Sequence, residues 1–198
     1  CRGKERKREE WWRGEVAGWR RRPGVARPPF PSLLPSQIQV PGNWETQGHG
    51  TPIYTNFNYP WPVTPPFVPA ANPTGVYRRW LDVPPSFVSG SHRLFLHFAA
   101  VNNACYVSVN GTEIGYSQDS CLPAEFDATP YLVPGRNLVT VTIMRFSDGS
   151  YLEDQDHWWL SGLYRDAFLL AKPSTHVADY FVRTPLELAD DGSVVKCW

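Results

Sequence analysis

Paired cysteines, a membrane-length apolar run and a net charge are all missing from this 198-residue chain. Its four cysteines, Cys1, Cys105, Cys121 and Cys197, form no C-x-x-C pair and no Cys/His metal spacing, and two stand at the extreme ends. That argues against a zinc module or a disulfide framework, so cysteine usage favours a reducing, cytoplasmic compartment. No apolar run approaches the ~20 residues that span a bilayer, and no apolar core follows the basic start as in a secretory signal, so no membrane partner is expected. Charged residues are only 19% against 42% hydrophobic, which suits a packed core rather than disorder. The length allows one full domain with appendages. Twenty prolines and fifteen glycines argue against a helical bundle.

The zero net charge hides a division. Residues 1–27 hold ten Lys/Arg and four Asp/Glu, a balance of +6, which leaves the remainder at −6. An acidic globular part does not seek phosphate, so nucleic acid is not an expected partner. The basic head reads either as an arm for an anionic partner or, more in keeping with such compositions, as a solvated helix or disordered arm. Residues 4–22 carry helix formers and a rough apolar stripe at Trp11, Trp12, Val16 and Trp19. A weakly capped helix is expected there, with Gly14 and Gly18 each costing about 1 kcal/mol relative to Ala.

Pro23 to Pro73 is punctuated by proline and rich in aromatics. It is expected to wrap the surface as an ordered coil that buries Ile53, Tyr54, Phe57, Tyr59, Trp61 and Phe67. From Gly75 the pattern turns to period two. Val76, Arg78 and Trp80 alternate with Tyr77, Arg79 and Leu81; Leu94, Leu96 and Phe98 alternate with Arg93, Phe95 and His97; Cys105, Val107 and Val109 form one face of the next segment. Asn110-Gly111 predicts a hairpin into 112–116, Pro134-Gly135 turns into 137–145, and further strands are expected at 164–171 and 176–183. Trp80, Phe95 and Phe168 are expected in the core. Closely spaced strands with turns between them predict an all-β antiparallel sandwich. Asp191-Gly192 then marks a hairpin near the end of the chain.

Residues 147–162, SDGSYLEDQDHWWLSG, carry the densest chemistry. Four carboxylates (Asp148, Glu153, Asp154, Asp156) precede two tryptophans. Carboxylates accept paired hydrogen bonds from vicinal hydroxyls, and indole faces cover the C–H face of a sugar ring. The alternative is a solvated acidic loop in front of core tryptophans. Asp154 and Asp156 on one strand face would stand about 6.6–7 Å apart, within the span of glycosidase carboxylate pairs, yet parallel side chains do not build two walls of a cleft. Asn110-Gly111-Thr112 also matches a glycosylation sequon, which the hairpin turn already explains.

Several longer motifs occur in a fixed order: Pro41-Gly42-Asn43-Trp44, Pro52-Ile53-Tyr54-Thr55-Asn56, Pro65-Pro66-Phe67-Val68-Pro69, Asn72-Pro73-Thr74-Gly75, Gly115-Tyr116-Ser117-Gln118-Asp119-Ser120, Leu122-Pro123-Ala124-Glu125-Phe126-Asp127, and Arg165-Asp166. Over roughly residues 36–185 the chain resembles the N-terminal sugar-binding domain of the long, bacterial-type β-galactosidases of glycoside hydrolase family 2. The resemblance implies a galactose-binding-like jelly-roll over 36–173, after a basic extension at 1–35 and before the first strands of an immunoglobulin-like domain at 174–198. It implies an enzyme that hydrolyses terminal β-D-galactosyl bonds, as in lactose, on a later (β/α)8 barrel. Neither catalytic glutamate of that barrel has a counterpart here, so no catalytic residue is expected in the chain.

By motif, Asn56 matches a residue lining the galactose site, and Asp156 one that binds a substrate hydroxyl and a sodium ion. Gln118 and Asp148 match positions that bind magnesium in some members. The expected partners are a galactoside and the remaining domains of the parent enzyme or of a partner chain; a lectin-like binder or a complementing fragment is the alternative. The chain departs from the family at Gly42, where serine is usual, and at His157-Trp158-Trp159, where a hydrophobic residue and Trp usually follow the aspartate. His157 is expected as a neutral, hydrogen-bonded or exposed side chain rather than an ion-pair partner of Asp156.

Overall fold

The computed structural model describes residues 12–16 and 36–197. The chain enters with β1 (Trp12–Val16), β2 (Ser36–Val40), a 3-10 turn at Glu45–Gln47 and β3 (Ile53–Thr55). The central strands follow: β4 (Thr74–Val83), a one-turn helix α1 (Pro85–Val88), β5 (His92–Phe98), β6 (Ala104–Val109), β7 (Thr112–Ser117), β8 (Ala124–Asp127) and β9 (Gly135–Met144). A second 3-10 turn, Asp148–Tyr151, leads to β10 (His157–Trp159), β11 (Ala167–Pro173), β12 (Leu186–Leu188) and β13 (Val194–Cys197).

Two antiparallel sheets form a jelly-roll sandwich. One runs β2-β1-β4-β9-β6-β7 and the other β11-β5-β8. Alternation decides what lies between them. Tyr77, Leu81 and Val83 of β4, Val139, Val141 and Ile143 of β9, and Cys105, Val107 and Val109 of β6 point inward, against Leu94, Leu96 and Phe98 of β5. Cys105 is a fully buried core residue, and burial pushes its thiol up to about 12. The Asn110-Gly111 hairpin forms as the sequence predicts, with both residues at positive φ. Its Asn110 side chain is committed internally: it accepts from Leu138 N and donates to Asn137 Oδ1 and Tyr131 O.

Two of the sequence motifs meet in the core. A Cβ on Gly75 would stand 2.5 Å from Trp44 Cζ3, so the indole of Pro41-Gly42-Asn43-Trp44 lies directly on the glycine of Asn72-Pro73-Thr74-Gly75. Only a glycine permits that approach.

Four expectations change. Trp12–Val16, placed in a helix by its flanking residues, is a strand paired with both β2 and β4, so sheet pairing overrides local propensity; the rest of 4–22 lies outside the described residues. Residues 176–183 form no strand, and Val177, Tyr180, Phe181 and Val182 are exposed. Trp80 sits on the outward face of β4, half exposed beneath the Arg136 guanidinium at 4.3 Å, while Phe95 and Phe168 are half-buried on the outward face of the smaller sheet. In the 23–73 segment Trp61 is buried and Ile53 and Tyr59 half-buried, whereas Tyr54, Phe57 and Phe67 face outward.

Candidate functional site

Two of the exposed aromatics, Tyr54 and Trp158, stand on a two-stranded ribbon, β3 with β10, outside the two main sheets. Thr55 pairs with His157, Tyr54 with Trp158 and Ile53 with Trp159. Continuing this register by one step sets Asn56 opposite Asp156. Both are exposed, so the structure brings the two sequence-derived sugar candidates to the same end of one ribbon.

Period two splits the ribbon into unlike faces. Trp159 turns inward and packs on Trp61 and Phe146, and its indole N–H donates to Thr55 Oγ1 at 2.6 Å. Trp158 turns outward, 56% exposed, with its ring 5.6 Å from that of Tyr54. The Tyr54 hydroxyl donates to Asp156 Oδ1 at 2.5 Å, which raises the Tyr54 phenol above its ordinary value. An indole face, a phenol, a carboxylate and an amide therefore share one solvent-facing edge. Of the two tryptophans, only Trp158 is available as a platform. Tyr54, absent from the sequence-derived site, becomes its central polar contact; the signal was its place two residues before Asn56 in an alternating segment.

The acidic loop leading to Asp156 is anchored from behind. Asn103 Nδ2 donates to Ser150 Oγ at 2.9 Å and to Glu153 Oε2 at 3.0 Å, and Ser147 Oγ donates to Asn103 Oδ1. Glu153 also accepts from Ser120 N at 2.8 Å and Ser120 Oγ at 2.6 Å. Glu153 is thus an internal staple and not a ligand-facing acid. Asp154 is half-buried and precedes the strand, so it does not share a strand face with Asp156. His157 donates through Nδ1 to Trp158 O at 3.1 Å.

Gln118 and Asp148 lie around a different aromatic. The Tyr116 hydroxyl donates to Gln118 Oε1 at 2.6 Å, and burial together with nearby Asp148 raises the Tyr116 phenol. Tyr106 stands beside it at 4.8 Å. Among the described residues no group of three or more His, Cys, Asp or Glu is placed to hold a metal ion. Hard cations take six or more oxygens. Gln118 with Asp148 offers one amide oxygen already bonded to Tyr116 and one carboxylate, and Asp156 stands as a single carboxylate with one oxygen bonded to Tyr54. Neither set fits a magnesium or sodium ion by itself. Among the described residues, no helix is long and apolar enough to cross a membrane.

Fold and edge together define an antiparallel β-sandwich that carries an exposed aromatic and acidic ribbon on its outside. A family model described as the sugar binding domain of glycosyl hydrolases family 2 matches residues 32–173. The chain is 48% identical over 165 residues to a beta-galactosidase of Vibrio cholerae, covering 83% of this chain and 16% of that protein. It is 52% identical over 160 residues to a beta-galactosidase of Enterobacter cloacae, covering 80% and 15%. The fold is shared with a beta-glucuronidase of an uncultured Clostridium species, at TM-score 0.57 and 17% identity over 93% of this chain and 36% of that one. A Bacteroides uniformis beta-glucuronidase superposes at TM-score 0.56 and 20% identity over 91% and 18%. This chain belongs to glycosyl hydrolases family 2, as its sugar binding domain. It spans about one sixth of the length of the curated relatives it matches.

Proposed function

We propose that this chain supplies the galactose-facing edge of a β-galactosidase whose reactive wall is carried by other polypeptide. The observation that supports it is the register of β3 and β10, which leaves Asn56 and Asp156, just beyond the last paired positions, at one end of the ribbon beside the exposed Tyr54–Trp158 pair. In this reading Asn56 donates its amide N–H to a sugar hydroxyl. Asp156 accepts from a second hydroxyl through the oxygen that Tyr54 leaves open. Trp158 covers an apolar face of the ring. Asp156 would offer one carboxylate oxygen to a sodium ion, and Gln118 and Asp148 one oxygen each to a magnesium ion, only where residues elsewhere supply the remaining oxygens. None of these residues serves as nucleophile or proton donor; terminal β-D-galactosides are cleaved on the later barrel. The jelly-roll covers 36–173 and takes β1 (Trp12–Val16) of the basic extension 1–35 into its larger sheet, and 174–198 begins the immunoglobulin-like domain.

Replacing the matching segment of the Enterobacter cloacae relative with residues 36–173 of this chain tests this. The chimera is expected to hydrolyse a chromogenic galactoside and to lose most of that activity on Asp156→Ala. A folded chimera indifferent to Asp156→Ala removes the reading. The exposed indole of Trp158 also favours a second reading, a lectin-like binder that needs no other domain. Calorimetry of the chain with galactose and lactose separates the two, and absence of heat at millimolar sugar counts against the lectin.

A further inference from the structure

Away from the sugar-facing edge, the molecule buries an ion pair that the proposed function does not use. Glu45 lies on the 3-10 turn after Trp44 with its side chain wholly excluded from solvent, and Arg145, just after β9, has 6% of its side chain exposed. Glu45 Oε1 stands 3.6 Å from Arg145 Nε, beyond hydrogen-bonding distance. Two charges removed from water at such a separation recover little of their lost solvation. Burial accordingly pushes the Glu45 carboxyl up, against the opposing effects of the Ser161 amide and Arg145, and pushes the Arg145 guanidinium down. An apolar pair of equal volume would hold the core at least as well.

An apolar pair could not make the hydrogen bonds. Arg145 Nη2 donates to Thr51 O and to Trp159 O, both at 2.9 Å. Glu45 Oε2 accepts from Ser161 N at 2.9 Å. Thr51 lies two residues before β3, and Trp159 ends β10. One guanidinium nitrogen therefore grips both strands of the ribbon at the end away from Asn56 and Asp156, and Glu45 holds the chain just beyond. The ribbon has only three paired positions of its own. A two-stranded pair that short does not fix its own splay.

We propose that Glu45 and Arg145 form a positioning clamp, setting the separation of β3 and β10 and so bringing Tyr54 within hydrogen-bonding reach of Asp156. The purpose of the clamp rests on the proposed sugar role; its test does not. The full chain, labelled with 15N and 13C, reports the ribbon directly through amide exchange and through cross-strand NOEs between Tyr54 and Trp158. Two variants are compared: Arg145→Lys, which keeps the charge but shortens the reach, and Glu45→Gln/Arg145→Met, which fills the space without the ions. Both are expected to stay folded while those NOEs weaken and amide exchange rises within 53–55 and 157–159. Unchanged NOEs and exchange in a folded double variant overturn the clamp. Loss of the whole fold in both variants overturns it too, because the pair would then support the sandwich and not the ribbon. Galactose binding measured alongside keeps the two claims apart: a clamp effect without any sugar binding retains the clamp and discards the sugar role.

Discussion

Tyr54 and Asp156 are 102 residues apart in sequence, and the phenol of the first donates to the carboxylate of the second at 2.5 Å across the β3–β10 ribbon. The bond takes one carboxylate oxygen and leaves the other for a ligand. The hydrogen bond to Asp156 is the largest cause of the raised Tyr54 phenol. The Asp156→Asn variant is therefore expected to bring the Tyr54 titration down towards the value of a free phenol, about 10. Ultraviolet or NMR titration of parent and variant checks it; equal midpoints would show that the bond does not persist in solution.

Neighbouring tryptophans on opposite faces should respond in opposite ways. Trp159 is buried against Trp61 and Phe146, so Trp159→Ala should destabilise by about 3–5 kcal/mol. Trp158 is exposed, so Trp158→Ala should change stability by less than about 0.5 kcal/mol and weaken sugar affinity instead. Urea unfolding and calorimetry on the two variants decide between this assignment and its reverse.

The contact between Gly75 and Trp44 permits no methyl group. Gly75→Ala places a Cβ 2.5 Å from a ring carbon in the packed core, and overpacking of that kind costs about 1–3 kcal/mol. Chemical denaturation should show the loss as a lower midpoint with an unchanged slope.

Acid should loosen the smaller sheet first. Glu125 on β8 accepts from His97 on β5 at 2.9 Å and from Lys172 on β11 at 3.0 Å, so it ties three strands together. The bond from His97 is the main cause holding its carboxyl below the ordinary glutamate value, with Lys172 adding to it. A depressed folded pKa means that the stabilisation is present above the unfolded value, about 4.3, and is lost as pH falls through the lower folded one. Thermal melts of parent and Glu125→Gln across that window should show a shallower acid dependence in the variant. Parallel curves would mean that the contact contributes nothing measurable.

The alternating strands from Gly75 onward were legible because each carries one buried face, and Cys105 and the Asn110-Gly111 turn followed from the same local rules. The sugar candidates Asn56 and Asp156 were legible only through motif resemblance. Their adjacency depends on a register between segments a hundred positions apart, which no window of sequence contains. The Glu45–Arg145 pair escaped for the same reason: each residue reads locally as a surface charge, and only the packed loops bury it. β1 escaped because its partners, β2 and β4, decide its conformation and its own residues do not. Tyr54, Phe57 and Phe67 were expected inside because aromatics ordinarily are; here they face outward along the irregular segment.

The most direct measurement is a double-mutant cycle on the KM for a galactoside in the chimera, using Asn56→Ala, Asp156→Ala and the pair together. If both side chains hold one sugar at one ribbon end, each single change raises KM and the pair departs from additivity by at least about 0.5 kcal/mol. Strict additivity, or a KM that ignores either change, would contradict a shared sugar edge.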